Sequence, residues 1–223
     1  MLGGGLLGLE AARGLQKYNT DITILEHASH LMAQQLDDEA GSLLRKHLMS
    51  KNIQIVLGDS VKNVIGYDSI SGVELRSGRT IDCDTLVIAT GIRPNLKLAR
   101  DAGIAVGRGI RVNDRMQTSD TDIFAVGECA EHRDRIYGLV APGLEQASVA
   151  AHTIAGGTSR YVGSQAATRL KVIGVSVISA GRCGERDAGS QLHNLTWRSA
   201  DSSRYRKLFL QRNRLRGVIA FGD

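Results

Sequence analysis

A glycine-rich turn at residues 3–8 constrains the fold of this chain more than any other feature. Its sequence, GGGLLG, fits the pattern G-x-G-x-x-G. In that pattern Gly3 permits a tight turn from strand to helix, Gly5 lets the backbone approach a pyrophosphate, and Gly8 lets helix and strand pack closely. Leu7 lies in the first turn of the predicted helix, where free amides and the helix dipole favour an anion. On its own, the pattern fits an ordinary glycine-rich loop equally well.

The segments after this turn favour a dinucleotide-binding unit. A helix up to Lys17 precedes a short strand, Ile22 to Leu25, and then Glu26, which lies 18 residues after Gly8. An acid at the end of this strand accepts hydroxyls of the adenosine ribose. It would also repel a 2′-phosphate by roughly 1 to 4 kcal/mol at about 4 Å. Since residues 27–36 contain no Arg or Lys to bind that phosphate, we expect NADH in preference to NADPH.

The strand that should precede the glycine turn is very short. Only Met1 and Leu2 come before Gly3, whereas a strand in a sheet is usually several residues long. We therefore expect the first strand of this domain to be missing and the chain to be a fragment.

The remaining pattern predicts an α/β fold. Apolar residues at helical spacing predict a helix from Asp37 to Met49 and another from about Leu144 to Ala155. Continuous apolar runs predict buried strands at Leu86 to Ala89 and at Ile123 to Val126. Beyond Tyr161 the pattern indicates antiparallel strands, so we place a domain boundary near residue 160. The further predicted strands are Ile53 to Leu57, Val61 to Gly66, Val73 to Leu75, Arg79 to Ile81, Val172 to Ser179 and Tyr205 to Phe221, the last with a turn at Asn213.

The net charge of +5 raises the possibility of nucleic-acid binding. The excess positive charge lies near the end of the chain, where basic residues alternate with apolar ones as on a strand, and this favours a solvated sheet face over a phosphate-binding patch. Because Trp197 is the only tryptophan, no platform for stacking bases is evident, and we expect no nucleic-acid partner. The basic residues concerned are Arg204, Arg206, Lys207, Arg212, Arg214 and Arg216.

The cysteines and the apolar segments bear on the cellular compartment. Cys83, Cys129 and Cys183 are widely spaced, which fits neither a disulfide framework nor a metal site and favours a reducing compartment. No signal peptide and no run of 18 apolar residues is present. We therefore expect a cytoplasmic protein with no bound metal and no membrane contact.

Several further motifs resemble those of the flavin-dependent pyridine nucleotide oxidoreductases with the glutathione-reductase fold. Within that group the chain is most similar to the flavoprotein portion of the NAD(P)H nitrite reductase large subunit, and the likeness covers nearly all of residues 1–180. The matching stretches are Gly3 to Ala12, Leu31-Met32 with Gln35 to Asp37, Ala89 to Asn95, Ala125 to His132 and Tyr137 to Pro142.

This resemblance implies a fold in which a nicotinamide domain is inserted into a flavin domain. Residues 1–92 would be a Rossmann-like, three-layer NAD(P)H-binding domain without its first strand. Residues 93–160 would be the returning part of the FAD-binding domain, and residues 161–223 the start of a small, mixed α+β C-terminal domain. The N-terminal flavin segment and the downstream iron–sulfur and siroheme modules of such a subunit are absent from this sequence. An exposed sheet edge in such a domain would favour self-association into a homo-oligomer.

The resemblance also implies site residues for FAD. Thr90 and Gly91 match the segment in which the chain passes from the nicotinamide domain back to the flavin domain. Small residues there let the backbone pass close to the cofactor. Gly127 and Glu128 match a Gly-Asp pair whose acid accepts a ribityl hydroxyl. A helix beginning after Pro142 would direct its amides at the flavin ring.

Glu10 matches an acid near the nicotinamide and the flavin, although a glutamate in the first turn that stabilises the helix is an equal alternative. The implied reaction is hydride transfer from NAD(P)H to FAD and then electron transfer to a metal centre, in an acceptor protein or a downstream module. Two alternatives stay open: a rubredoxin or ferredoxin reductase of the same fold, and an inactive nucleotide-binding remnant.

Overall fold

The computed structural model describes residues 1–165, 167–172, 174–181, 183, 193–201 and 203–222. It divides into two compact units, one of residues 1–91 together with 167–223 and one of residues 92–166. We call these unit 1 and unit 2.

Unit 1 begins with a small parallel sheet flanked by helices. The helices are α1 (Leu6–Gln16) and α2 (Asp38–Met49), and the paired strands are β1 (Ile22–Glu26) and β2 (Ile53–Leu57). A three-stranded antiparallel sheet follows, formed by β3 (Val61–Gly66), β4 (Ile70–Leu75) and β5 (Thr80–Asp82). Each of these elements lies within a few residues of its predicted position, because local periodicity and turn residues determine it.

Met1 and Leu2 occupy the position of a central strand. The N–H of Leu25 donates to the carbonyl of Met1, and the N–H of Gly3 donates to Leu25, both at 2.8 Å. On the other side, Leu2 exchanges two hydrogen bonds of 2.8 Å with the extended segment at Val87 and Ala89. The turn at Gly3 is therefore held between two neighbouring segments.

The prediction of a buried strand at Leu86 to Ala89 is wrong. The segment is extended, but it pairs in parallel only through a bridge between Leu2 and Ile88, and 66% of Ile88 is exposed. The apolar run suggested a strand paired and covered on both sides, whereas the described part of the chain supplies one short neighbour.

Unit 2 contains little regular structure. It has two helices, α3 (Lys97–Asp101) and α4 (Val140–Ile154), two paired parallel strands, β6 (Ile110–Val112) and β7 (Ala130–His132), and a 3₁₀ turn at Gly127–Cys129. The strand expected at Ile123 to Val126 is reduced to a single antiparallel bridge between Gln117 and Phe124, with Ala125 buried. That prediction was therefore wrong about regular pairing, although it was right about burial at Ala125.

Helix α4 begins earlier than expected. It starts at Val140, so Pro142 lies inside its first turn rather than ahead of it. This corrects the prediction of a helix that begins after Pro142. Proline is tolerated in a first turn, because the amide it lacks has no partner within the helix there.

The last part of unit 1 is a five-stranded antiparallel sheet. Its strands are β8 (Ala167–Val172), β9 (Val175–Gly181), β10 (His193–Arg198), β11 (Tyr205–Gln211) and β12 (Arg214–Phe221), in the order β10-β11-β12-β9-β8. The strand expected at Val172 to Ser179 includes position 173, which lies outside the described residues. The predicted turn at Asn213 is present, with φ of 60°.

This sheet shares one core with the first part of unit 1. Tyr205, Ile219 and Leu170 are buried in the same apolar cluster as Leu9 of α1 and Leu44 of α2. The boundary between compact units lies at residues 166 and 167. The division into three functional domains stays a prediction.

The basic residues near the end of the chain do not form a uniform solvated face. Lys207 is mostly buried and donates to Asp37 at 2.7 Å. Arg206 donates to the backbone carbonyls of Phe221 and Gly222, whereas Arg212 and Arg214 are exposed. Strand alternation does not separate exposed from inward positions here, because Leu215 is exposed together with Arg214 and Arg216. It also does not show that Lys207 has a carboxylate partner elsewhere in the chain.

Within the described residues, no helix combines the length and the apolar character needed to cross a membrane.

Candidate functional site

The glycine turn packs the start of α1 closely against the extended segment at Ala89. Gly3 has φ of +110°, and a Cβ atom there would lie 2.3 Å from the carbonyl oxygen of Ala89. A Cβ atom on Gly8 would lie 2.1 Å from the carbonyl oxygen of Gly3, whereas one on Gly5 would meet nothing within 4 Å. Gly3 and Gly8 are therefore required for packing, and the backbone at Gly5 has open space beside it.

Helix α1 begins without a hydrogen bond from a capping side chain among the described residues. Gly5 is its N-cap, and no side chain in the part of the chain described here hydrogen-bonds to this end. The amides of the first turn, including that of Leu7, are available for an acceptor from outside the protein. Leu7 itself is 62% exposed. This end of the helix can bind a phosphate group.

Glu26 lies beside this turn, as the sequence predicted. One carboxylate oxygen, Oε2, accepts the N–H of Gly4 at 2.7 Å, and the other, Oε1, accepts the N–H of Ala28 at 2.9 Å. Nδ1 of His27 also lies 2.7 Å from Oε1. Only 9% of Glu26 is exposed. The carboxylate thus organises the loop, and Oε2, which accepts one backbone N–H, keeps a second lone pair that can accept a ribose hydroxyl.

Sequence reasoning missed three residues that shape this site. A Cβ atom on Gly4 would lie 2.5 Å from Leu31 and 3.2 Å from Oε2 of Glu26. The N–H of Met32 donates to the carbonyl of Gly4 at 3.0 Å. The segment after β1 therefore folds over the glycine turn. The run of three glycines signals the special position of Gly4, since the pattern itself requires only the first and third.

Glu10, Thr90 and Gly91 are all exposed. Glu10 lies in the second turn of α1, whose first turn contains no acidic residue, so the alternative of a helix-stabilising glutamate in the first turn is wrong. Glu10 makes no ion pair or side-chain hydrogen bond with the residues described. Thr90 and Gly91 end the first segment of unit 1, directly before the boundary between the units. Their predicted roles stay predictions.

In unit 2, Gly127 and Glu128 lie beside the start of α4. Gly127 has φ of +80°, and a Cβ atom on it would meet nothing within 4 Å. A Cβ atom on Gly143, in the first turn of α4, would lie 3.4 Å from Cα of Gly127. Pro142 is buried, and no side chain caps the helix among the described residues. Glu128 is exposed and has no partner there.

The buried side-chain amide of Gln146 contacts this turn. Oε1 of Gln146 accepts the N–H of Gly127 at 2.7 Å. Nε2 of the same side chain is buried and makes no hydrogen bond within the described residues. The turn at Gly127 is open, no side chain of the described residues caps α4, and Nε2 of Gln146 is a buried donor without a partner there. These features fit a polar cofactor such as FAD better than they fit a closed apolar core.

Two family matches cover nearly the whole chain. Residues 1–153 match the pyridine nucleotide-disulphide oxidoreductase family, and residues 167–223 match the C-terminal domain of rubredoxin NAD+ reductase.

Individual relatives are similar over the full chain. A nitrite reductase [NAD(P)H] of Bacillus subtilis (strain 168) is 43% identical over 100% of this chain and 28% of its own length. An assimilatory nitrate reductase electron transfer subunit of the same organism is 39% identical over 100% of this chain and 29% of its own. The solved structure of a NAD-dependent persulfide reductase from A. fulgidus superposes with a TM-score of 0.90 at 27% identity, over 99% of this chain and 44% of that one. The chain thus spans less than a third of the length of these two curated relatives.

Proposed function

The chain belongs to the pyridine nucleotide-disulphide oxidoreductase family, and on that premise we propose that it binds NADH and FAD and takes part in flavin-dependent electron transfer. When bound, FAD supplies an acceptor for the hydride of NADH and a donor of single electrons to a metal centre. The observation that carries the proposal is the pairing of an uncapped helix end with the buried carboxylate of Glu26.

For NADH, the residues of unit 1 would bind and orient. The amides at Gly5 and Leu7 would hold the pyrophosphate, because no side chain of the described residues competes for this end of α1. Gly3 and Gly8 keep the turn closed. Glu26 would accept a ribose hydroxyl and would repel the additional phosphate of NADPH.

For FAD, the residues of unit 2 would hold the polyol and the ring. Glu128 would accept a ribityl hydroxyl, and the first turn of α4 at Pro142 would face the ring with positive partial charge. By their match to the family, Thr90 and Gly91 would let the backbone pass close to the cofactor. Glu10 would stand near the nicotinamide, where a carboxylate can orient the ring or hold a proton.

The names of two relatives support a proposal for the electron acceptor. They are named as a nitrite reductase and a nitrate reductase electron transfer subunit, so we infer a siroheme or iron–sulfur module as the acceptor and nitrite as the final substrate. The match of residues 167–223 to a rubredoxin reductase domain supports a second candidate, a reductase that serves rubredoxin or ferredoxin.

Replacement of the carboxylate tests the NADH site. We expect Glu26→Gln to weaken NADH binding at least ten-fold, because a charge-assisted hydrogen bond contributes about 1.5 to 3 kcal/mol. The same change should raise the affinity for NADPH relative to NADH, because the repulsion of the 2′-phosphate is removed. Calorimetric titration of the purified chain with each dinucleotide measures both effects.

Glu74→Gln is the matched control for this experiment. Glu74 lies in β4 and accepts hydrogen bonds from Lys62 and Asn63 on the neighbouring strand, so its loss should leave NADH binding unchanged. Equal affinity of wild type and Glu26→Gln for NADH, with both proteins folded, would contradict the proposed site.

A flavin-binding experiment distinguishes an active oxidoreductase from an inactive nucleotide-binding remnant. Yellow absorbance that bleaches on addition of NADH supports an oxidoreductase. A colourless chain that gains thermal stability with NADH and does not bind added FAD supports a nucleotide-binding remnant.

A further inference from the structure

His30 is a buried histidine in the segment that joins β1 to α2. It is 3% exposed, and its Nε2 lies 3.2 Å from the carbonyl oxygen of Leu36. Between these two residues, the N–H of Met32 donates to the carbonyl of Gly4 at 3.0 Å. The contact between His30 and Leu36 therefore closes a loop whose backbone hydrogen-bonds to the glycine turn. We call residues 30–36 the covering loop.

The other ring nitrogen of His30 faces α2. Nδ1 lies 2.9 Å from Oδ1 of Asp38, in the first turn of that helix, and 3.2 Å from the hydroxyl of Ser29. A Cβ atom on Gly41 of the same helix would lie 2.7 Å from Cδ2 of the imidazole, so the helix backbone packs directly on the ring. His30 thus connects the covering loop with the start of α2.

These contacts identify the protonation state in which His30 connects the two elements. A carbonyl oxygen and a carboxylate oxygen only accept hydrogen bonds, so the ring must donate from Nε2 to Leu36 and from Nδ1 to Asp38. The imidazolium form alone carries both protons. In the neutral form with its proton on Nε2, Nδ1 is an acceptor, which the hydroxyl of Ser29 can satisfy. The hydrogen bond to α2 is then lost.

Acidic side chains at the start of α2 supply the negative charge that a buried imidazolium requires. Among the described residues, Asp38 forms no ion pair with a lysine or an arginine, so the ring is its cationic partner. The two acids beside Asp38 have other partners, since Asp37 accepts from Lys207 and Glu39 pairs with Arg198. The charge on the ring is therefore balanced chiefly by Asp38.

We propose that His30 is a positioning residue for NADH, which in its imidazolium form holds the covering loop against α2 and on deprotonation loses this link. The inference rests on the proposed function, because it takes the turn at residues 3–8 as the NADH site. The covering loop fixes the carbonyl of Gly4 through Met32, and a phosphate is bound best by amides that are already in place. NADH affinity should therefore fall as the pH rises and the ring loses its proton.

Asp38→Asn tests this link without removing a buried side chain, since the side chain of Asp38 is 75% exposed. An amide can accept from a protonated Nδ1 or donate to an unprotonated one, so it can keep the contact in both states of the ring. Between about pH 6 and pH 9, a range that covers the loss of the proton from histidine, the Kd for NADH should rise about three-fold more in wild type than in Asp38→Asn. Calorimetric titration measures both. His27 and the amino group of Met1 are present in both proteins, so their titration cancels in the comparison.

Two further measurements separate positioning from simple packing. His30→Gln keeps a donor for Leu36 but cannot be protonated, so it should lose the extra pH dependence and bind NADH about three-fold more weakly at the lower pH. His193→Gln makes the same change at an exposed position of β10 and should alter neither quantity. Nitrogen NMR of the imidazole, recorded without dinucleotide at the lower pH, should show a proton on both ring nitrogens of His30.

The outcomes distinguish the two proposals. If wild type binds NADH with the same pH dependence as Asp38→Asn, or if His30 carries a single ring proton at the lower pH, the role of His30 is refuted and the proposed function stands. If folded wild type binds no NADH at any pH, the proposed function falls and the role of His30 falls with it. Should His30→Gln fail to fold, Asp38→Asn and the NMR measurement decide the matter alone.

Discussion

A Gly8→Ala variant is expected to unfold about 6 to 12 °C earlier than wild type and to lose at least ten-fold in NADH affinity. The added methyl group would lie 2.1 Å from the carbonyl oxygen of Gly3 and 3.1 Å from its carbonyl carbon. Both are backbone atoms of the turn, so the contact can be relieved only by moving the turn. Overpacking of this kind costs about 3 kcal/mol, and in a chain of this size that corresponds to the stated shift in Tm.

Gly14→Ala is the matched control in the same helix. Gly14 lies in α1, is exposed, and a Cβ atom on it would meet nothing within 4 Å. Alanine there should stabilise the chain by about 0.5 to 1 kcal/mol, because glycine inside a helix is less favourable than alanine. Thermal melting and calorimetric titration of both variants check the pair. A Gly8→Ala protein with wild-type stability would show that the backbone of Gly3 lies farther from position 8 than 2.1 Å allows.

The second large effect is expected at Asp37. We expect Asp37→Ala to lower the free energy of unfolding by about 3 to 5 kcal/mol, the usual cost of removing one partner from a largely buried ion pair. Its Oδ1 caps α2 through the N–H of Ala40 at 3.0 Å. Its Oδ2 accepts from the hydroxyl of Tyr205 and from Nζ of Lys207, both at 2.7 Å. One side chain thus joins α2 to the C-terminal sheet of unit 1.

A double-mutant cycle isolates this contact. Lys207→Met in the Asp37→Ala background should be less costly than in wild type, because no unpaired ammonium group is then left behind. Asp21→Asn changes an exposed aspartate that has no hydrogen-bond or ion-pair partner within the described residues and should be neutral. Strict additivity of the Asp37 and Lys207 changes in urea denaturation would argue against the ion pair.

The same carboxylate makes stability depend on pH. Burial acts to raise the pKa of Asp37, but the hydrogen bonds from Lys207, Ala40 and Tyr205, together with the lysine charge, outweigh it and hold the pKa below its usual value. Its stabilising contribution is therefore complete above the unfolded-state pKa of about 4 and is lost as the pH falls through the lower, folded-state pKa. In acid titrations, Asp37→Asn should lose less stability than wild type over that interval.

The sequence alone determined the parts of this protein that depend on neighbouring residues in the chain. The glycine turn, the helix after it, strand β1 and Glu26 follow from spacing over 26 residues, because turns and helices are set by local periodicity. Helix α2 follows in the same way from its apolar spacing, whereas the role of Asp37 as its N-cap was seen only in the structure. Motif resemblance added the assignment to a family.

Only the tertiary structure decided which distant groups meet. Asp37 and Lys207 are separated by 170 positions, and Gln146 and Gly127 by 19, yet each pair shares a hydrogen bond. An apolar run cannot indicate how many neighbours it will pair with, so the exposure of Ile88 was not predictable. The chemistry of a side chain determines which groups it can bind, whereas the fold of the backbone determines which of those groups lies within reach.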